Sequence, residues 1–484
     1  MSEPLRFLNT LSRRTEPFEP IEPGHVRLYT CGPTVYDFAH IGNLRTFLFE
    51  DVLRRTLAAS GHRVTQVMNL TDIDDKTIRG AAAEGISLRA YTDRYIEAFF
   101  ADLDTLRVER AEHYPRATEF IPQMVELVER LSARGHTYVQ DGSTYFRIST
   151  FPAYGKLSGV DLSAVKRGAR VADDEYEKED VRDFALWKGA KEGEPESALW
   201  TTELGRGRPG WHLECSAMSM KYLGETFDIH TGAVDNIFPH HENEIAQSEG
   251  ATGRPFVNWW LHAEHLIVDG EKMAKSKGNF QTLPDVLAKG YSARAVRYLL
   301  LSVPYRQKLN FTFDGLRAAA SALERLDSLD RRLAERTAGG GERTGKPTGG
   351  FLLKVKTAES EVFAALEDDF NTAAALGALF TFVGATNKDL ESGQLVPADA
   401  AAARTLLARL TDDVLGVSPS QQTPGAPEAR SSLSDEAIEA RISARQEARR
   451  RRDFRTADAI RDELSALGIV LEDTPQGVRW HRKA

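Results

Sequence analysis

A chain of 484 residues with 41% apolar and 27% charged content is that of a folded protein too long for a single core, and about two to four domains are expected. No apolar run approaches the ~18 residues that span a bilayer, Met1 to Asn9 lacks the apolar stretch of a signal peptide, and two cysteines make no disulfide framework, so a cytoplasmic location without membrane attachment is expected. A net charge of -9 argues against a surface coated throughout in nucleic acid, while leaving room for a local basic face.

In chain order, His25-Val-Arg-Leu-Tyr-Thr-Cys31 reads as a buried strand. A helix starting near His40 would carry Leu44, Phe47, Leu48 and Val52 on one face. A second strand, Arg63 to Leu70, ends at the acidic turn Thr71-Asp-Ile-Asp-Asp-Lys76. Strand, helix and strand make the unit of a parallel sheet with ligands at the strands' carboxyl ends. Helical patterns follow from Leu88 to Arg107 and from Ala117 to Arg134. The strand-like, polar stretch from Thr137 to Trp200, with the acidic run Asp173 to Asp180, reads as an insertion. The sheet resumes around Thr226 to His230 and at Leu266-Ile-Val-Asp269.

From Tyr291 the pattern is helical, over Ala293 to Leu301, Leu316 to Leu333, Leu352 to Leu366 and Asn371 to Leu390. Glycine- and proline-rich breaks at 337–350 and 417–427 are flexible by composition. The second sets off a C-terminal module in which Arg441, Arg445, Arg449, Arg450, Arg451, Arg452 and Arg455 face only Glu447 and Asp453. The expected division is a first sheet half at 1–115, an insertion at 116–200, a second half at 201–310, a helical bundle at 311–416, a linker at 417–432 and the module at 433–484.

Two phosphate-loop imitations carry no weight. In Gly205-Arg-Gly-Arg-Pro-Gly210 the proline and Trp211 spoil the helix start that a pyrophosphate needs. Gly340-Gly-Glu-Arg-Thr-Gly-Lys346 has Pro347 where the metal-binding hydroxyl belongs. The run Cys31-Gly-Pro-Thr-Val-Tyr-Asp-Phe-Ala-His-Ile-Gly-Asn43 is stronger, because a histidine at a helix start can donate to a phosphate held by free backbone amides. Alone, it would read as a helix cap. Its partner is Glu271-Lys-Met-Ala-Lys-Ser-Lys-Gly-Asn279, a lysine loop suited to clamping a polyphosphate. On a helix starting at Pro239, His240 and Glu244 share a face at i and i+4, and His241 with Glu244 at i+3 is the competing pair. Imidazole and carboxylate joined by the thiols of Cys31 and Cys215 suit Zn²⁺ better than Mg²⁺ or Ca²⁺.

Together with Asn69-Leu-Thr-Asp-Ile-Asp-Asp-Lys76, Asp183-Phe-Ala-Leu-Trp-Lys188, Gly210-Trp-His-Leu-Glu-Cys-Ser-Ala217 and Phe238-Pro-His-His-Glu-Asn-Glu244, these segments resemble the class I aminoacyl-tRNA synthetases. Within that class they resemble the cysteinyl-tRNA synthetase family, and the tail around Ala457 to Leu464 and Gly468 to Gly477 extends the likeness over nearly the whole chain. Two positions depart from the class pattern: Asn43 stands where a second histidine is usual, and Ala274 replaces a serine.

The resemblance implies an α/β fold. A Rossmann-like class I synthetase domain on a parallel sheet, carrying an insertion, is followed by an α-helical bundle and a small C-terminal anticodon-binding module. It implies ATP-dependent ligation of L-cysteine to tRNA(Cys) through a cysteinyl-adenylate, with Mg²⁺ accompanying ATP and one zinc ion per chain selecting the thiol. A monomer is expected. By the class pattern His40, Asn43, Lys272 and Lys275 would be catalytic. Thr34, Gly42, Gly232, Asp235 and Ser276 would join them in binding ATP. Gly32, Thr71 and Trp211 would line the cysteine pocket, and Cys31, Cys215, His240 and Glu244 would hold the zinc. A cysteine ligase acting on an amino-sugar shares this chemistry but has no use for the long helical and basic C-terminal half. A zinc-dependent RNA-binding protein would leave His40 and the lysine loop without purpose.

Overall fold

The computed structural model describes residues 5–160, 183–274, 277–338, 346–418, 435–451, 453–466, 469–474 and 477–482. The acidic run at 173–180, Lys275, Ser276, most of the Gly340–Lys346 run and linker residues 419–432 lie outside them. At the centre is a four-stranded parallel sheet in the order Val257–Ala263, Phe227–Ala233, His25–Thr30, Arg63–Met68. Val26 and Leu28 pack into one apolar cluster and Tyr29 into another, as a sheet covered on both faces requires. The helix Ile41–Ala59 joins the strands His25–Thr30 and Arg63–Met68, burying Leu44, Phe47, Leu48, Val52, Leu53 and Leu57. This is the strand–helix–strand unit that the apolar period predicts.

One expectation needs correction. Leu266–Val268 is not in the central sheet; it pairs with Glu271–Lys272 and Leu309–Phe311 in a separate three-stranded sheet. The outer strand of the central sheet is Val257–Ala263 instead. Between the two, the buried Arg45 donates to the carbonyls of Glu264 and His265 at 2.8 and 2.7 Å, which pins the chain where it leaves the first sheet.

The polar middle region folds as a five-stranded antiparallel sheet in the order Thr137–Gln140, Ser143–Phe146, Phe184–Gly189, Gly205–Pro209, Trp200–Thr202. This sheet runs on to Pro209, so the Gly205-Arg-Gly-Arg-Pro-Gly210 run is an ordinary strand and not a phosphate loop.

The chain divides into two units, Met1–Pro419 and Ser420–Ala484. Within the first, the helices Phe313–Ala338, Gly349–Glu367, Thr372–Glu391 and Pro397–Ala408 bury Leu316, Leu323, Leu326, Leu333, Val362, Leu379 and Leu406 in one core. Arg297, 1% exposed, ties this bundle to the sheet domain: it donates to the carbonyls of Leu415, Leu106 and Arg107 and to Asp51 of the Ile41–Ala59 helix. The second unit has helices Asp435–Arg450 and Phe454–Ala466 and a hairpin of Ile469–Thr474 with Gly477–Arg482. Ile438, Ile442, Leu464 and Ile469 form its small core.

Candidate active site and metal centre

Open α/β sheets bind ligands at the carboxyl ends of their strands. At that edge the chain delivers Cys31 and Gly32 beyond His25–Thr30, Asn69 and Thr71 beyond Arg63–Met68, and Gly232 and Asp235 at the end of Phe227–Ala233. Two of these loops are stitched together: Thr34 pairs with Thr71, and Val35 N donates to Thr71 O at 3.1 Å. Gly32 is required here, because a Cβ would sit 1.8 Å from the carbonyl oxygen of Asn69. Asp235, exposed, lies 3.2 Å from the His265 ring.

At the phosphate end, His40 has extended backbone and caps the Ile41–Ala59 helix. Its Nδ1 accepts from Asn43 N, and Asn43 Oδ1 accepts from His40 N, both at 3.1 Å. Asn43 therefore closes a capping box. A neutral imidazole that accepts at Nδ1 carries its proton on Nε2, so His40 is a donor from that side. The lysine-loop segment meets this helix start directly. The His40 ring stands edge-on to Phe280, Ile41 N donates to Gln281 O at 3.0 Å, and a Cβ on Gly42 would lie 3.2 Å from Met273 Cε. Lys272 is exposed at the end of its short strand. Two motifs more than two hundred residues apart thus share one surface.

At the other end, Cys31, His240, His241 and Glu244, all buried, bring one donor atom each within 4.8 Å of one another. Cys31 Sγ is 3.2 Å from His241 Nε2, and His240 Nε2 is 3.1 Å from Glu244 Oε1. Both competing histidines are in this group. Cys215, on the helix Trp211–Leu223, is buried against Cys31 and Tyr29 but lies outside the group. Trp211, half-buried, stacks on the His240 ring at 4.4 Å between centroids. The far nitrogens of both rings are held: His240 Nδ1 is 2.8 Å from His212 Nδ1, and His241 Nδ1 is 2.8 Å from His262 Nε2. Glu244 Oε2 lies 3.0 Å from His230 Nε2.

The electrostatics of this cluster fit a cation. Burial pushes the His230, His240 and His262 imidazoles down to about 3 and holds His241 well below the usual imidazole range, so all four are neutral at pH 7. Burial raises the Glu244 carboxyl to about 7, against the pull of His240, and raises the Cys31 thiol well above its usual range. The Cys215 thiol is also raised: a hydrogen bond from Cys31 lowers it, but burial and Glu244 prevail. Glu244 Oε1, although 3.1 Å from His240 Nε2, makes no hydrogen bond of proper geometry among the described residues. Thiol, imidazoles and an unsatisfied buried carboxylate oxygen make a donor set suited to Zn²⁺.

Sequence reasoning missed the surroundings of this cluster. His212, His230 and His262 were not singled out, although with His240 and His241 they bring five of the chain's 12 histidines to one place. Glu214 and Asn69 were missed too: Thr71 Oγ1 donates to Glu214 Oε2 at 2.9 Å and accepts from Asn69 Nδ2 at 3.1 Å.

Comparison with known proteins bears on the whole chain. The family model for the class I tRNA synthetase (C) catalytic domain matches residues 17–321, a DALR domain model matches 361–418, and a cysteinyl-tRNA ligase anticodon-binding domain model matches 433–480. A cysteine–tRNA ligase of Solibacter usitatus is 53% identical over 481 residues, covering 99% of this chain and 100% of the relative. One from Koribacter versatilis is 45% identical, with 99% and 100% covered. Among solved structures, Mycobacterium tuberculosis methionyl-tRNA synthetase with methionyl-adenylate matches with a TM-score of 0.59 at 17% identity, over 86% of this chain and 96% of that one. The LeuRS of Agrobacterium radiobacter K84, in a ternary complex with tRNA and LeuAMS, matches with a TM-score of 0.60 at 13% identity, over 85% and 88%. At these identities the structural likeness speaks for the fold alone.

Proposed function

Since this chain belongs to the cysteine–tRNA ligase family of class I synthetases, we propose that it activates L-cysteine with Mg·ATP and transfers it to tRNA(Cys). The cysteine carboxylate attacks the α-phosphorus of ATP, forming cysteinyl-adenylate and releasing pyrophosphate. The 2′-hydroxyl of the terminal adenosine then attacks the activated carbonyl and releases AMP. Positioning and charge stabilisation supply most of the catalysis in such transfers.

His40 donates from Nε2 to a phosphate oxygen, and Asn43 holds the helix start that presents the free amides. Lys272 and Lys275, with Ser276, neutralise the charge that develops on the leaving pyrophosphate. Thr34 and Gly42 border the phosphates, and Gly232 and Asp235 take the ribose. Gly32, Thr71 and Trp211 line the cysteine side. Cys31, Cys215, His240 and Glu244 are assigned as holding one zinc ion, with His241 close enough to take a place. Zinc prefers a soft thiolate to a hydroxyl and lowers a thiol's pKa, so it would separate cysteine from serine where a plain pocket manages only about 10²-fold.

The observation that carries the reading is the convergence on one sheet edge of a thiol–imidazole–carboxylate cluster with the capped His40 helix and its lysine-loop contact. A cytoplasmic monomer is consistent with it. No helix among the described residues is long and apolar enough to cross a membrane. The test is charging of tRNA(Cys) by the zinc-loaded, full-length protein. ATP-dependent formation of cysteinyl-tRNA is expected. Cysteine joined to an amino-sugar, with tRNA left uncharged, would instead establish the small-acceptor ligase.

A further inference from the structure

We propose that Glu214 is a positioning residue for the substrate: by accepting the Thr71 hydroxyl proton, it leaves that hydroxyl able only to receive a hydrogen bond from the α-ammonium of cysteine. The inference rests on the activation of cysteine proposed above.

Hydrogen-bond direction decides what the Thr71 hydroxyl can still bind. Gly32 N donates to Asn69 Oδ1 at 2.8 Å, which fixes the orientation of that amide. Asn69 Nδ2 therefore donates onward to Thr71 Oγ1 at 3.1 Å, and Thr71 Oγ1 donates to Glu214 Oε2 at 2.9 Å. A hydroxyl has one proton and two lone pairs. The proton and one lone pair of Thr71 are committed, and a single lone pair is left for a ligand. The backbone cannot turn away, since Thr71 N donates to Pro33 O and Thr71 O accepts from Val35 N, both at 3.1 Å.

An amino acid offers two charged ends. Its ammonium carries only donors and its ionised carboxylate only acceptors. The Thr71 hydroxyl matches the first and is mismatched with the second. That suits the reaction, because the carboxylate is the nucleophile and has to point at ATP while another group serves as the handle.

Glu214 is an expensive choice for mere packing. It is 0% exposed on the helix Trp211–Leu223, and its Oε1 has no hydrogen-bond partner among the described residues. An apolar side chain would fill the same space without leaving a carboxyl half-satisfied. The direction of the Thr71 contact holds whether Glu214 is ionised or carries a proton on Oε1.

The test is cysteine-dependent ATP–pyrophosphate exchange on zinc-loaded, full-length Glu214→Gln, Glu214→Asp, Glu214→Leu and Thr71→Val, with the Leu/Val double variant. Inhibition by 3-mercaptopropionate, which is cysteine without its amino group, is measured alongside. Glu214→Gln keeps an acceptor oxygen and should stay within about twofold of the parent KM for cysteine. Glu214→Leu, and Glu214→Asp through its shorter reach, should raise that KM about tenfold. The KM for ATP, the zinc content and the inhibition by 3-mercaptopropionate should not change. The double variant should be no worse than Thr71→Val. If Glu214→Leu does not fold, Glu214→Asp carries the same readout. Equal losses for cysteine and 3-mercaptopropionate, a parallel rise in the KM for ATP, or additive effects in the double variant would overturn the proposal. Absence of exchange in the parent protein would instead overturn the reading on which it rests.

Discussion

At the scale of single residues, two buried carboxyls give opposite instructions about pH. Glu244 is raised to about 7 by burial, and it must lose its proton to act as a metal ligand. Zinc affinity should therefore fall more steeply with pH below about 7, where Glu244 takes up a proton in addition to the raised thiols of Cys31 and Cys215, and His240→Ala should lose the metal at any pH while keeping its helical circular dichroism. Metal analysis after dialysis at pH 5.5, 7 and 8.5 checks both. A zinc affinity, measured against a competing chelator, that is the same at pH 5.5 as at pH 7 would count against Glu244 as a ligand. Asp102 is pushed up to about 7 by burial alone. It keeps its proton in the folded chain and releases it near pH 4 when unfolded. The Asp102 contribution to folding stability is then fully present below about pH 4, declines as pH rises to about 7, and is level above that. Asp102→Asn removes this decline. Its gain over the parent should grow from pH 5 to pH 8 and reach about 1–3 kcal/mol in thermal unfolding. A gain independent of pH would contradict the assignment.

At the scale of elements, the helix Ile41–Ala59 does two jobs with one terminus. Its start is closed by the reciprocal His40–Asn43 bonds and packed against the Phe280–Thr282 segment. Asn43→Ala removes one of those bonds and should cost about 1 kcal/mol of stability. It should also slow pyrophosphate exchange, because the His40 backbone N–H loses its acceptor and the turn that presents the imidazole loosens. Loss of stability with unchanged exchange would make Asn43 a cap and nothing more. The strand–helix–strand unit was legible because its apolar period is long and clean. The strand Val257–Ala263 was not, since from Trp259 to Ala263 every residue is buried and the alternation that marks a strand is missing.

For the molecule as a whole, the second unit, Ser420–Ala484, has its own apolar core. Its basic stripe is partly neutralised: Glu447 pairs with Arg450 and Arg451, and Arg441 pairs with Glu463. Truncation after Pro419 should leave pyrophosphate exchange near the parent rate and reduce tRNA charging by about 10-fold or more. Equal loss of both would mean the unit supports folding instead. The short runs around His40, Lys272, and His240 with Glu244 could be read from the chain because phosphate and metal chemistry demand particular residue types close together. The surroundings could not. Asn69, Glu214, His212, His230 and His262 come from separate elements, and only tertiary approach makes them one polar network. That same approach put His241 beside Cys31, a choice that helical spacing alone left open.

In this protein thiol selection is expected to be coupled to adenylate formation. ATP–pyrophosphate exchange by the zinc-loaded protein, run with cysteine and with serine, tests that coupling most directly. We predict exchange with cysteine at a kcat/KM more than about 10³-fold above that with serine, beyond the ~10² that a pocket without a metal supplies. No exchange with cysteine, or a ratio at or below about 10², would contradict it.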